Sequence, residues 1–594
     1  MLFFLFILVL ISSRPALAIS EFTLNQNVTY TINQSGNASV VEDLTLTNNL
    51  SEIYAKEYRL TLSDDNLKNI TGNDDFGNII QNIQSQNGQT LISLKFNQPA
   101  LGKDKTTRFK LRYTIDNFAE NKGKVWEISL PQYQNLKEKD TVKVTLFSPS
   151  FFGDLAYSSV PPISKNQSVS QNEFSYQINP SQNQKILLIL GNYQIFDFDL
   201  TYQLKNDENE AVQTEIAFPP DTNNQLIIFK KIIPPPENII IDSDGNWLGK
   251  YLLSPSQELT ISATGQVKII PATLKPSPLT NPNSLLEEKP FWPVTHPQIT
   301  AISQKLKNPQ QIYDYVVSSL SYNYDLINSP QRKGALVAIN SPQDSVCTEF
   351  TDLFVTLSRS KGIPAREIEG FAYTNNPKIK PTNLNADVLH AWPQYYNSIK
   401  QAWIDIDPTW GKTTNGIDYF RDLDLNHFTF VIHGQDSSYP PPPGAYKTNK
   451  NFKTVLVDFA KTELKPSYSP PVVTPIKTGL NRIPKIILQN QNPNSLNAVT
   501  VFLSANDWSR LIEKIPPYSS VEITIPPISF FQSLLPKNQK ITFQFQFEGS
   551  PDLHRQSITY LPHYLNLGIS LGILIILLCL GGIIILTPKK HFSK

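Results

Sequence analysis

Cysteine is scarce in this chain, with two in 594 residues. Cys579 lies inside an apolar run near the C-terminus and Cys347 stands alone in the remainder, so no intramolecular disulfide can join them. Charge is also low: Asp, Glu, Lys and Arg make up 17%, below the usual quarter, which argues against charge-driven disorder and coiled-coil composition. The formal net charge is +1, and setting aside Arg14, Lys589, Lys590 and Lys594 leaves the middle slightly acidic. No basic footprint for nucleic acid exists. No internal repeat is evident. What the chain has in excess is proline, 46 residues or about 8% where roughly 5% is usual, which favours edge strands, turns and stiff linkers over long helices. At roughly 100 to 200 residues per domain, the length predicts three to five packed, mostly β domains.

The two ends predict a compartment. Leu2 to Ile11 is uninterrupted and apolar, and Ala16-Leu17-Ala18 follows as a small-residue cleavage site, so residues 1–18 read as a secretory signal peptide. Leu567 to Leu586 carries no charge over 20 residues, enough to cross a ~30 Å hydrocarbon core, and predicts a transmembrane helix over 565–587. The lysines after it place the tail 588–594 in the cytoplasm, which makes this a single-pass cell-membrane protein with its bulk outside. Six Asn-X-Ser/Thr triplets fall in that bulk, at Asn27, Asn33, Asn37, Asn49, Asn69 and Asn166, candidate glycan acceptors in a composition that also produces such triplets by chance.

Alternating runs at Val28-Tyr30-Ile32, Ile92-Leu94-Phe96 and Val142-Val144-Leu146 predict an N-terminal β-sandwich over 19–195. A second β domain, 196–278, contains Leu226 to Phe229 and Asn238 to Ile241 as strands. Its Asp242-Ser-Asp-Gly-Asn246 lacks the further ligands and terminal Glu of an EF-hand loop and reads as a tight hairpin turn. After a proline-marked linker, Tyr313, Val316, Val317 and Leu320 fall at helical spacing behind Pro309 and open an α-containing domain over 287–436. A Pro-rich linker, 437–475, leads to a last β-sandwich, 476–560, in which Val499-Val501-Leu503 and Ile541-Phe543-Phe545-Phe547 alternate.

The chemistry concentrates in 287–436. Phe350, Leu353, Phe354 and Leu357 form one helical stripe that stops before Gly362-Ile363-Pro364, which places Cys347 in the first turn of a helix. Asp344 or Ser345 is positioned to cap that helix, and its unsatisfied N–H groups favour a thiolate. A nucleophilic thiolate needs a base and a group to orient the base. His390, in Leu389-His390-Ala391-Trp392, and Asp405 or Asp407, in Trp403 to Trp410, are the candidates, on segments that read as strands. Asp405 and Asp407 share a strand face, so period two does not choose between them. Read singly, each residue has a plainer account: Cys347 as a small buried hydrophobe, and Trp392, Trp403 and Trp410 as core.

Taken together, Cys347 with Glu349-Phe350 after it, Gly362-Ile-Pro-Ala-Arg366, Gly370-Phe371, His390-Ala-Trp392 and Trp403 followed by Asp407-Pro-Thr-Trp410 resemble the transglutaminase-like family. The resemblance covers about a quarter of the chain. It implies a papain-like α+β fold, with Cys347 as nucleophile, His390 as general base and Asp407 as orienting carboxylate, Asp405 being the runner-up. It implies no cofactor and no metal ligand, and the calcium sites of the animal cross-linking enzymes do not carry over. The expected fold class is therefore multi-domain and mainly β, with β-sandwich domains flanking one α+β transglutaminase-like domain, plus a C-terminal transmembrane helix. The expected function is acyl transfer or hydrolysis of amide bonds through a thioester, on a surface polypeptide or peptide-like polymer. The alternative is a catalytically silent surface binding or adhesion protein.

Overall fold

The structure is a computed structural model that describes residues 20–560 apart from 63–66, 87, 134–135, 181–184, 272–275, 277–278, 280, 328–330, 383–388, 422, 448–451, 467, 477–484, 505–506 and 527–538, and beyond these only 571–572 and 574–579. It is mostly β, with 48% strand against 13% helix in several sheets. The expected fold class needs one correction, its membrane helix: among the described residues no helix is long and apolar enough to cross a membrane. Of the run 565–587 only 571–572 and 574–579 are described, all helical, a reach of roughly 12 Å against the ~30 Å of a hydrocarbon core. The rest of the run, the signal-like 1–18 and the tail 588–594 lie outside the described residues.

The chain divides into two compact units, Met1–Gln194 with Trp410–Leu425, and Ile195–Thr409 with Asn426–Lys594. In the first, an eight-stranded sheet is built around β1 (Phe22–Ile32), β2 (Ala38–Asn48), β4 (Thr106–Ile115) and β5 (Thr141–Pro149), in the order β5-β1-β2-β4. β1 and β2 pair antiparallel, whereas β1 and β5 run parallel. Alternation sends Val28, Val40, Leu44, Leu111, Val142 and Val144 into one core. A three-stranded sheet that includes β3 (Glu57–Leu62) adds Ile92 and Leu94 to it. The segment Trp410–Leu425 joins this unit through Tyr157, whose hydroxyl donates to the Asp418 carbonyl at 2.8 Å.

In the second unit the helices are α1 (Pro297–Ser303), α2 (Pro309–Ser319), α3 (Ala335–Asn340), α4 (Cys347–Ser360) and α5 (Pro408–Thr413), the last of which runs across the unit boundary. Pro309 sits in the first turn of α2, and Asn308 caps it by accepting the Gln311 N–H at 3.0 Å. The strands β6 (Ala365–Ala372), β7 (His390–Asn397), β8 (Ala402–Asp405) and β9 (His427–His433) form one antiparallel sheet in the order β8-β7-β6-β9, and α4 packs on β6 and β7.

β9 is an edge strand, and two buried amide side chains cover its open side. The Gln225 side chain donates to the Thr429 carbonyl and accepts the Thr429 N–H, each at 2.9 Å, and the Asn246 side chain does the same with Ile432 at 2.8 and 2.7 Å. Each amide imitates a neighbouring strand and removes the exposed ladder. Asn246 ends the 242–246 segment, a hairpin turn in which Asp242 Oδ1 accepts the N–H groups of Asp244, Gly245 and Asn246, each at 2.9 Å, with Gly245 at φ +98°. Further along the chain, the strands Leu496–Leu503 and Gln539–Phe547 carry Val499, Val501, Phe543 and Phe545 into a separate core.

Candidate active site

Cys347 is the first residue of α4 and is partly exposed. The helix is anchored by the stripe Phe350, Leu353, Phe354 and Leu357, all at 1% exposure or less. Its start differs from the capping expected of Asp344 or Ser345. Val346 is the N-cap and contributes no side-chain bond; Glu349 instead reaches back to accept the Val346 N–H at 3.0 Å and the Lys333 N–H at 2.8 Å. The end is as the glycine suggests. Gly362 takes φ +80°, its N–H bonds to Arg359 O and that of Ile363 to Ser358 O, both at 2.9 Å, a Schellman closure that requires the left-handed residue. Because Cys347 is a first-turn residue, its backbone N–H has no acceptor inside the helix.

His390 opens β7, and its Nε2 lies 2.9 Å from Asp407 Oδ2, both side chains fully buried. Cys347 lines the same cavity as His390, and its sulfur is among the groups that favour the charged imidazole. Burial opposes a charge on His390, but the Asp407 carboxylate and then the Cys347 sulfur outweigh it and push its pKa up to about 9. Burial likewise opposes ionised Asp407, yet His390 and then His427 hold it down at about 2. The imidazole is therefore protonated at neutral pH and the carboxylate charged.

The two aspartates do not share a strand face, because β8 ends at Asp405 and Asp407 stands at the turn into α5. Asp405 Oδ1 accepts the Trp392 indole N–H at 3.0 Å and the Gln394 amide at 2.8 Å, and Gln394 in turn accepts Arg366 Nε at 2.7 Å. Asp405 thus fixes Trp392, whose ring lies 5.9 Å from that of His390. Gly370 explains itself here. A Cβ on it would meet the Phe428 carbonyl oxygen at 2.1 Å and the Trp392 ring at 2.9 Å, so only glycine lets β6 pass between β9 and that ring.

Sequence reasoning missed His427. It opens β9, buried, with Nε2 3.3 Å from the same Asp407 Oδ2, and its ring is 5.0 Å from Trp392. Only the pairing of Ala372 with His427 across β6 and β9 brings it there, and no local motif marks it. A buried charge cluster lies in the same unit: Arg332 bonds Asp352 and sits 2.8 Å from Glu367 Oε2, which is also 3.0 Å from His433 Nδ1. His433 is opposed by burial, but Glu367 pushes it up to about 9. Two groups of described residues bring metal-ligating atoms together, His390-Asp407-His427 and Glu367-Glu369-His433. In the first, Asp407 Oδ2 already serves two imidazoles; in the second, Arg332 already occupies Glu367.

A cavity of about 340 Å³ stands against Cys347 and His390, with Tyr322, Val346, Leu389 and Glu369 in its lining. Tyr322 is held there by a bridge to Ser345, just ahead of α4. Its phenol pKa is raised by burial first and by the Cys347 sulfur second.

Residues 294–408, which include Cys347, His390 and Asp407, match the family model of the transglutaminase-like superfamily, so the chain carries a transglutaminase-like domain. No curated protein matches the chain. Among solved structures it is similar to a candidate cysteine protease from Cytophaga hutchinsonii, at 17% identity over 47% of this chain and 94% of that one, TM-score 0.30. It is also similar to the periplasmic domain of TgpA from Pseudomonas aeruginosa, at 14% identity over 38% and 91%, TM-score 0.23. A third likeness, to an M1 zinc metallopeptidase from Deinococcus radiodurans at 13% identity and TM-score 0.20, covers 30% of this chain and 43% of that one, less than half its length. Likenesses this distant carry no functional weight.

Proposed function

We propose that the transglutaminase-like domain performs thiol-dependent acyl transfer or hydrolysis on amide bonds of surface polypeptides or peptide-like polymers. The observation that carries this reading is the buried 2.9 Å contact between His390 Nε2 and Asp407 Oδ2, with Cys347 of α4 and His390 lining the same cavity. In the proposed reaction, Cys347 Sγ as thiolate attacks the carbonyl carbon and the C=O electrons move to oxygen. The Cys347 N–H meets that oxyanion, and the Tyr322 hydroxyl, from the same cavity wall, serves as the second donor. The tetrahedral adduct collapses, the C–N bond breaks, and His390 gives its proton to the leaving nitrogen, which leaves a thioester. Water or a primary amine then attacks, now deprotonated by His390, and Cys347 leaves as thiolate. Asp407 keeps the imidazole oriented and stabilises its charged form.

The test is to incubate the full chain with a polypeptide extract, quench in acid and weigh the Cys347 peptide. An acyl adduct on Cys347, absent in Cys347→Ala, supports the reading. Undiminished turnover in Cys347→Ala defeats it. In the same assay Tyr322→Phe slows acylation about 10²-fold, the size typical for one oxyanion donor.

A further inference from the structure

Alternation along β2 assigns the slot of Glu42 to the sandwich core: Val40 and Leu44, two residues to either side, are buried, and so is Glu42 itself, at 1% exposure. Adjacent inward slots hold Gln26 and Tyr30 on β1 and Tyr113 on β4, all buried. Gln26 Nε2 donates to Glu42 Oε2 at 2.7 Å and the Tyr113 hydroxyl to Oε1 at 2.6 Å, while the Tyr30 and Tyr133 hydroxyls stand 3.3 Å apart. Every partner of Glu42 is neutral. Among the described residues no Lys or Arg pairs with it: Lys137 is turned to the Ser20 hydroxyl, and Arg59 is exposed beside Glu57. Burial, the largest influence, accordingly pushes its carboxyl pKa up, with its two donors only partly opposing.

Packing does not require this arrangement. Apolar residues of similar volume in a core slot are often neutral or stabilising relative to a buried charge. Nor is the carboxylate sealed in. With Gln26 and Tyr30 it lines a cavity of about 590 Å³ whose wall runs outward through half-buried Tyr58 and Tyr133 to Tyr54, 50% exposed. That volume lies in the range of small-ligand sites.

The geometry points to a binding site for a primary alkylammonium group in the N-terminal sandwich, its charged head on Glu42 and its alkyl body between tyrosine rings. An ammonium supplies the counter-charge that Gln26 and Tyr113 lack and enters a cavity lined by the Tyr30, Tyr58 and Tyr133 side chains, where attraction between a cation and an aromatic ring strengthens once water is excluded. An anion would place a second negative charge beside a buried carboxylate, and a neutral alcohol would gain nothing from it. The ammonium is either a free amine or a lysine side chain on a polypeptide. This inference stands apart from the acyl-transfer reading.

Calorimetric titration of the full chain with pentylammonium chloride, and separately with 1-pentanol of the same alkyl length, tests it. The expected result is saturable 1:1 binding of the amine, at least tenfold tighter than the alcohol, and at least tenfold weaker in the isosteric Glu42→Gln. Tyr58→Leu, at a half-buried position that makes no bond to Glu42, weakens binding severalfold without lowering the melting temperature, and decides the matter should Glu42→Gln fail to fold. Displacement of pentylammonium by Nα-acetyl-lysine amide identifies a chain-borne lysine as the ligand, and its failure to displace identifies a free amine. Equal binding of alcohol and amine, amine binding unchanged in both variants, or no amine binding at all would overturn the proposal.

Discussion

Glu367, in the unit that carries Cys347, and Glu42, in the N-terminal sandwich, are both fully buried acids whose pKa values burial raises most strongly. Their company differs. Glu367 has the Arg332 guanidinium at 2.8 Å and His433 at 3.0 Å, whereas Glu42 has an amide and a phenol. Near Cys347, Asp407 likewise serves two imidazoles. Burying charge in ion pairs fixes geometry, because removing one partner strands the other. Burying it among neutral donors leaves the counter-charge to be supplied from outside. The first arrangement suits a site that must hold its reacting groups still, the second a site that receives something.

The largest effect expected of breaking the paired arrangement is in Asp407→Asn, which keeps the volume but deprives the imidazole of its charge and orientation. Turnover falls about 10³- to 10⁴-fold, read as kcat on one substrate. Next is Glu367→Gln, which takes the carboxylate from His433 Nδ1, leaves Arg332 with Asp352 as its bonded carboxylate, and costs about 3–5 kcal/mol in denaturant unfolding. Its pH signature is specific. His433 is pushed up to about 9 in the folded chain against about 6.5 unfolded, so the stability from this pair is fully present below pH ~6.5 and lost as pH rises through about 9. The wild type therefore loses stability between pH 7 and 9.5 more steeply than Glu367→Gln does.

Smaller effects sharpen the comparison. His427→Leu removes one of the two donors on Asp407 Oδ2 and lowers kcat about tenfold, or ~1.4 kcal/mol. The alkaline limb of kcat/KM, set in the wild type by His390 at about 9, moves upward in this variant because Asp407 becomes the stronger partner of His390. Asp405→Asn, which disturbs Trp392 and Gln394 but not the His390 contact, costs less than about tenfold. The smallest is the stability change in Glu42→Gln, under about 1 kcal/mol, since no ion pair is broken there. A loss as large as that of Glu367→Gln would erase the distinction between the two acids.

The parts of this site that local pattern dictates were legible in the sequence. The stripe from Phe350 to Leu357 and Gly362 delimit α4, and motif order brings forward Cys347, His390 and Asp407. What the sequence hid depends on where elements stop and what they pair with. Period two could not separate Asp405 from Asp407, because the strand ends between them and Pro408 starts a helix. His427 reaches Asp407 only through strand pairing across β6 and β9. The helix cap passed from Asp344 and Ser345 to Glu349, one turn inside. At fold level the alternating runs became strands, whereas among the described residues no helix is long and apolar enough to cross a membrane, and most of the apolar run at 565–587 lies outside them. Glu42 looked like any polar residue in an alternating strand, although its spacing from Val40 and Leu44 already put it on the inward face.

The central claim, that His390 and Cys347 work as one unit, is tested most directly by the rate at which iodoacetamide alkylates Cys347 at pH 6 in the folded full chain, with the Cys579 peptide resolved by mass as an internal reference. A thiolate held beside an imidazolium reacts at this pH and an ordinary thiol does so only slowly. The account predicts rapid, stoichiometric modification of Cys347 in the wild type and a rate at least 100-fold lower in His390→Ala, with Cys579 unchanged. Equal rates in the two proteins would contradict it.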